Sequence, residues 1–137
     1  YNVNVFYTAP TALRMFRQFG DEWVKKYDLS SLKCLGTVGE PIDKKTWEWY
    51  FEKIGGGKIP VIDTWWQTET GGTMINSLAG IGPYLPGVAG NPFPGTRFAL
   101  CDDQGRILKK GDGYLVQLSP FSPGTLRTVW RNKKKYR

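Results

Sequence analysis

Trp47, Tyr50, Phe51 and Ile54 stand at positions i, i+3, i+4 and i+7 between two short apolar runs. That spacing is one face of a helix, so those four side chains must be covered by another layer. Asp43 precedes the pattern as a natural N-cap, and Gly55-Gly56-Gly57 ends it. The flanking runs, Leu32–Val38 and Pro60–Trp65, have strand length and read as buried strands. Strand, helix and strand in this order imply a mainly parallel sheet with flanking helices, an α/β fold. The residues upstream repeat the theme. Val3, Val5, Phe6 and Tyr7 predict a strand, and Thr8 is the expected N-cap of a helix with Pro10 in its first turn. Ala12, Met15, Phe16 and Phe19 form its expected buried face, Gly20 its stop, and Asp21 the cap of a shorter helix through Tyr27.

The pattern changes beyond Gly71-Gly72. Gly and Pro crowd residues 80–95, and no helical period survives there. Arg97–Cys101, the turn Asp102-Asp103-Gln104-Gly105 and Arg106–Leu108 predict a hairpin, and Gly113–Leu118 a further strand. The expected organisation is an α/β part over residues 1–85, the start of a β-rich subdomain over 86–126, and a basic end over 127–137. Both ends read as cut, which suggests a piece of a larger protein.

Composition removes several kinds of chemistry. Histidine is absent, so no Ser-His-Asp triad, His general base or His-based metal site can form. Two cysteines, Cys34 and Cys101, cannot build a four-Cys zinc site. No apolar run approaches the roughly 20 residues of a spanning helix, so no membrane partner is expected, and a cytoplasmic setting is. The net charge of +7 comes mostly from Arg127, Arg131, Lys133, Lys134, Lys135 and Arg137. The rest of the chain carries 13 basic and 12 acidic side chains. A short basic end is read as solvated, and no nucleic acid is expected as a partner. Gly55-Gly56-Gly57-Lys58 is no phosphate loop, because Glu52 replaces the first Gly and Ile59 the Ser/Thr of that motif.

Two segments carry more than turn formers. Val38-Gly39-Glu40-Pro41 closes one predicted strand, and Asp63-Thr64-Trp65-Trp66-Gln67-Thr68-Glu69-Thr70-Gly71-Gly72 closes the next. Ligands of open α/β sheets bind beyond the carboxyl ends of strands.

With Tyr7-Thr8-Ala9-Pro10-Thr11-Ala12 and Leu35-Gly36-Thr37-Val38-Gly39-Glu40-Pro41-Ile42, the ten-residue segment strongly resembles the AMP-forming acetyl-coenzyme A synthetases. These belong to the adenylate-forming acyl-CoA synthetase and luciferase superfamily. The resemblance implies a partial domain of that fold and a two-step ligation. A carboxylate attacks the α-phosphate of ATP to give acyl-AMP and pyrophosphate, and the CoA thiol then displaces AMP. The attacking oxygen is already ionised at neutral pH, so the missing histidine is no obstacle. The implied small molecules are acetate, ATP and CoA, with Mg²⁺ as metal.

By the same resemblance, Gly39, Glu40 and Pro41 lie on the adenine side. Asp63 accepts the adenine amino group, and Trp65 stacks on the ring. Thr64 and Gln67 belong to the nucleotide loop, with Trp66 beside them. Thr68 contacts the α-phosphate, and Glu69 holds Mg²⁺, a hard cation suited to oxygen ligands. Thr68 and Glu69 are thus the implied catalytic pair, and Val38 and Trp66 the walls of the acyl pocket. The wider superfamily usually has Tyr-Gly-x-Thr-Glu where this chain has Trp65-Trp66-Gln67-Thr68-Glu69, so an indole stands where a Gly would leave room for a longer acid.

The family's Ser/Thr/Gly-rich phosphate loop, its ribose-binding Asp segment and its C-terminal domain with the adenylation Lys are not among these 137 residues. The 137 residues alone are therefore expected to be inactive. Competing readings are a non-catalytic nucleotide-binding or interaction module and a basic, aromatic nucleic-acid binder.

Overall fold

A computed structural model describes residues 1–136. The chain forms two compact units, one of residues 1–65 and 75–91, the other of residues 66–74 with the chain from Pro92 onward.

The first unit is built on three parallel strands, β1 (Val5–Thr8), β2 (Cys34–Val38) and β3 (Val61–Trp66), of which only Trp66 lies in the second unit. Phe6 pairs with Leu35, and Leu35 with Val61, so these three share a face. Helices α1 (Pro10–Phe19) and α2 (Lys44–Trp49) supply Leu13, Trp47 and Trp49 to the core that includes Leu35 and Val61. On the opposite face the Tyr7 ring lies against Gly36, where an added Cβ would come within 2.2 Å of it.

The strongest sequence pattern is realised in α2. The Asp43 carboxylate accepts the Thr46 N–H at 3.0 Å, the expected cap. The helix then widens into a π-turn over Tyr50–Ile54, closed by the Gly55 N–H donating to the Tyr50 carbonyl at 3.0 Å. Tyr50 is fully buried, and its hydroxyl donates to the Phe6 carbonyl at 2.7 Å. Its ring meets Phe6 edge-on at 5.7 Å. One side chain thus pins the helix to the first strand, and burial pushes its phenol pKa up.

Three expectations are corrected. Thr8 ends β1, so it does not cap α1; the N-cap position is Ala9, which has no capping side chain. The buried stripe of α1 includes Pro10 and Leu13, continued by the ion-paired Arg14 and Arg17, while Met15, Phe16 and Phe19 are exposed. Both stripes have the same period; paired charges and Leu13 decide which one faces the protein. Asp21 caps no helix either. Only a single 3₁₀ turn forms, over Val24–Lys26, and Asp21 accepts the Trp49 indole N–H at 2.8 Å.

Short strands β4 (Thr73–Asn76) and β5 (Asn91–Pro92) each straddle the division between the units. In the second unit β6 (Phe98–Cys101) pairs antiparallel with both β7 (Ile107–Leu108) and β8 (Tyr114–Gln117). The expected turn between β6 and β7 is organised by Asp102. Its Oδ1 accepts the N–H of Gln104 at 3.0 Å and of Arg106 at 2.8 Å. The basic end contains one helical turn, α3 (Lys133–Tyr136), which the sequence pattern does not announce. No described helix is long and apolar enough to cross a membrane.

Candidate active site

Parallel pairing sets the carboxyl ends of β2 and β3 side by side, with Val38 opposite Thr64 and Thr37 opposite Asp63. Alternation along a strand places Thr37 on the same face as Leu35, and Asp63 on the same face as Val61. Both are therefore polar residues on an apolar face, and they satisfy each other. The Thr37 hydroxyl donates to Asp63 Oδ1 at 2.8 Å, and the Thr64 N–H reaches the same oxygen at 3.0 Å. Asp63 is only 7% exposed. Burial pushes its carboxyl pKa up, and the Thr37 and Thr64 bonds pull against that rise. Asp63 is the sole buried carboxylate among the described residues, and both of its donors among them fall on Oδ1.

Gly39, Glu40 and Pro41 leave the end of β2. The Glu40 carboxylate is held by the first turn of α1. Its Oε1 accepts the Thr11 N–H at 2.8 Å and the Thr11 hydroxyl, and its Oε2 accepts Arg14 Nη1 at 3.2 Å. The Thr11 hydroxyl, then Arg14, lower the Glu40 pKa. Thr46 first, then Arg14 and Arg17, hold the Asp43 carboxyl down to about 2.

Within the second unit, Thr68–Thr70 forms a 3₁₀ turn directly after Trp66 and Gln67. The Gln67 N–H donates to Thr70 Oγ1 at 3.0 Å, and that hydroxyl donates to the Gln67 carbonyl at 2.7 Å. Gly71 follows at φ 74°, in left-handed backbone. The Leu126 N–H donates to the Thr70 carbonyl at 3.2 Å, so the stretch at 124–126 braces this turn. Trp66, Gln67, Thr68 and Glu69 are all exposed. Glu69 has no hydrogen bond or ion pair with a described residue, and no group of three or more potential metal-ligating His, Cys, Asp or Glu side chains occurs among those residues. A single exposed carboxylate suits a cation that takes its remaining ligands from phosphate and water, as Mg²⁺ does.

The sequence reading did not assign a role to Thr37, Thr11 or Arg14. Thr37 was detectable: two polar side chains on the buried face of adjacent strands need each other. The Thr11–Glu40 bond spans 29 residues, and no local pattern announces it.

A family model described as AMP-binding enzyme matches residues 1–121. The chain belongs to the AMP-binding enzyme family. Among curated members, it is 50% identical over 137 residues to the acetyl-coenzyme A synthetase of Wolinella succinogenes, covering 99% of this chain and 21% of that protein. The same enzyme from Gemmatimonas aurantiaca is 50% identical over 136 residues, again covering 99% of this chain and 21% of the relative. The chain thus spans about a fifth of the length of these relatives. A crystal structure of an anthranilate CoA ligase in complex with anthranoyl-AMP superposes with a TM-score of 0.76 at 25% identity, covering all of this chain and 25% of that one. The α/β architecture with a parallel sheet is therefore that of AMP-binding enzymes.

Proposed function

We propose that the protein carrying this chain activates acetate with ATP and passes the acetyl group to CoA. The buried Asp63 at the carboxyl end of a parallel strand carries this reading, because its second carboxylate oxygen takes no donor from the described residues and suits an amino group such as the exocyclic amine of adenine. Half-identity to acetyl-coenzyme A synthetases over nearly the whole chain supports the choice of reaction.

In this reading the backbone of Gly39, Glu40 and Pro41 borders the adenine, Trp65 stacks on it, and Thr64 and Gln67 complete the loop. Thr68 donates to the α-phosphate. Glu69 would hold Mg²⁺, which supplies charge neutralisation on the phosphates. By the family resemblance, Val38 and Trp66 each take the role of an acyl-pocket wall. The acetate oxygen forms the new P–O bond as the bond to pyrophosphate breaks, so the protein needs only to align the reactants and stabilise phosphate charge. Both cysteines are free thiols, which fits a reducing cytoplasm.

The test is acetate-dependent exchange of labelled pyrophosphate into ATP by the full-length protein. Exchange is expected with acetate and not without it. A full-length protein that binds ATP but shows no acetate-dependent exchange overturns the reading.

A further inference from the structure

The segments at residues 7–12 and 35–42 are far apart in sequence, yet one side-chain cluster joins them. Helix α1 begins without a capping side chain, since Ala9 stands at the N-cap. Thr11 is the second residue of α1, and its N–H is one of the donors that a helix start leaves unpaired. Glu40 supplies the acceptor from 29 residues away, placing a negative carboxylate at the positive end of α1.

Arg14, one turn further on, gathers the other side of the same loop. Its guanidinium donates to Glu40 Oε2 at 3.2 Å, to the Pro41 carbonyl at 3.3 Å and to Asp43 Oδ2 at 3.2 Å. The rigid fork of donors on an arginine can serve several acceptors at fixed spacing, which a lysine cannot. Three points of one short loop are thus fixed from a single side chain on a neighbouring helix. An ordinary surface ion pair would contribute little to stability. This one also reaches the Pro41 carbonyl, so it ties the loop backbone as well as two carboxylates to α1.

We propose that Arg14, acting with Thr11 through Glu40, is a positioning residue for nucleotide binding: it fixes the Gly39–Pro41 backbone against which the adenine rests. The inference rests on the functional reading above, in that the loop borders the base. The Glu40 carboxylate then acts on its own loop, and the nucleotide meets the backbone that it holds.

The test uses the full-length protein with Arg14→Met, Arg14→Lys, Thr11→Val and Thr11→Ser. Steady-state exchange should show the KM for ATP raised about tenfold in Arg14→Met, with kcat and the KM for acetate changed less than about twofold. Arg14→Lys should recover only part of the loss. Thr11→Ser should match the wild type, and Thr11→Val should fall between. If Arg14→Met does not fold, the Thr11 pair carries the comparison. A folded Arg14→Met or Thr11→Val variant with an unchanged ATP KM overturns the proposal, as does a loss confined to kcat. Titration of ATP without acetate separates the two readings. If the wild type shows no exchange, yet ATP binding still weakens in Arg14→Met, acetate activation fails and the positioning role stands. If the wild type is active and ATP binding is unaltered in Arg14→Met, the positioning role alone fails.

Discussion

The hydroxyl of Thr37 donates to Asp63 Oδ1 across adjacent parallel strands, 2.8 Å apart and shielded from solvent. Removing it leaves that oxygen with the Thr64 N–H as its one donor among the described residues. A hydrogen bond to a charged group contributes about 1.5–3 kcal/mol, so Thr37→Val in the full-length protein should weaken ATP binding by about tenfold or more. Thr37→Ser keeps the hydroxyl and should bind normally. Equal ATP affinity in the Val and Ser variants would show that Asp63 needs no orientation from its neighbour.

Asp43 and Asp63 should act on stability with opposite pH dependence. The folded pKa of Asp43 is about 2 against an ordinary 3.8, so its contribution is complete above 3.8 and is lost as pH falls through about 2. Asp63 is shifted upward, so its contribution is present below 3.8 and is lost as pH rises through its folded value. Asparagine keeps the cap at position 43 but removes the charge that pairs with Arg14 and Arg17. Asp43→Asn should therefore be less stable than wild type near neutral pH, with the gap closing in acid. Asp63→Asn should gain on wild type as pH rises. Denaturant unfolding across the acid range measures both, and parallel trends for the two variants would contradict the assignment.

Gly71 combines left-handed backbone with a close approach. A Cβ there would lie 2.7 Å from the Gly124 carbonyl oxygen and 2.8 Å from the Leu126 nitrogen. Backbone atoms cannot swing aside as a side-chain end can. Gly71→Ala should cost at least about 1 kcal/mol in stability from the backbone conformation alone. It should also loosen the 3₁₀ turn carrying Thr68 and Glu69. Thermal unfolding and the kcat of exchange should fall together, whereas an unperturbed variant would mean that the 124–126 stretch yields freely.

Trp66 is 48% exposed, so its truncation removes little core packing. If it closes the acyl pocket, Trp66→Gly should weaken acetate use and admit longer acids. Each added methylene that becomes buried offers about 0.8 kcal/mol. The ratio of kcat/KM for hexanoate over acetate should then rise by about tenfold or more. An unchanged ratio in the folded variant would remove Trp66 from the pocket.

Local signals carried the parts of the fold that depend on local chemistry. Asp43 before a strongly apolar face, and Asp102 before Gly105, each have their partner within four residues, and both form as expected. Helix α1 was legible in extent but not in orientation, because Pro10, Leu13, Arg14 and Arg17 share the spacing of Ala12, Met15, Phe16 and Phe19. The choice between those faces depends on Glu40 and Asp43, which lie beyond any local window. Asp21 misled for the same reason: its acceptor serves Trp49, 28 residues on. Strand β4 has four residues without a clear alternation, so its own sequence says little. At the candidate site the sequence singles out the two segments that leave β2 and β3, through the motif they belong to. Thr11 and Arg14, which hold that motif in place, were not.

The acceptor that caps α1 is made late. A ribosome extends the chain through Thr11 and on to Phe19 well before it reaches Glu40, so the nascent α1 begins with its Thr11 N–H unmatched. The first turn of this helix should stay frayed until the loop after β2 emerges and docks. A stalled nascent chain with both Thr11 and Glu40 outside the ribosome should thus protect the Thr11 amide, and the same chain carrying Glu40→Ala should exchange it freely. The order of synthesis, and not the helical propensity of α1, would then set when this wall of the sheet becomes rigid.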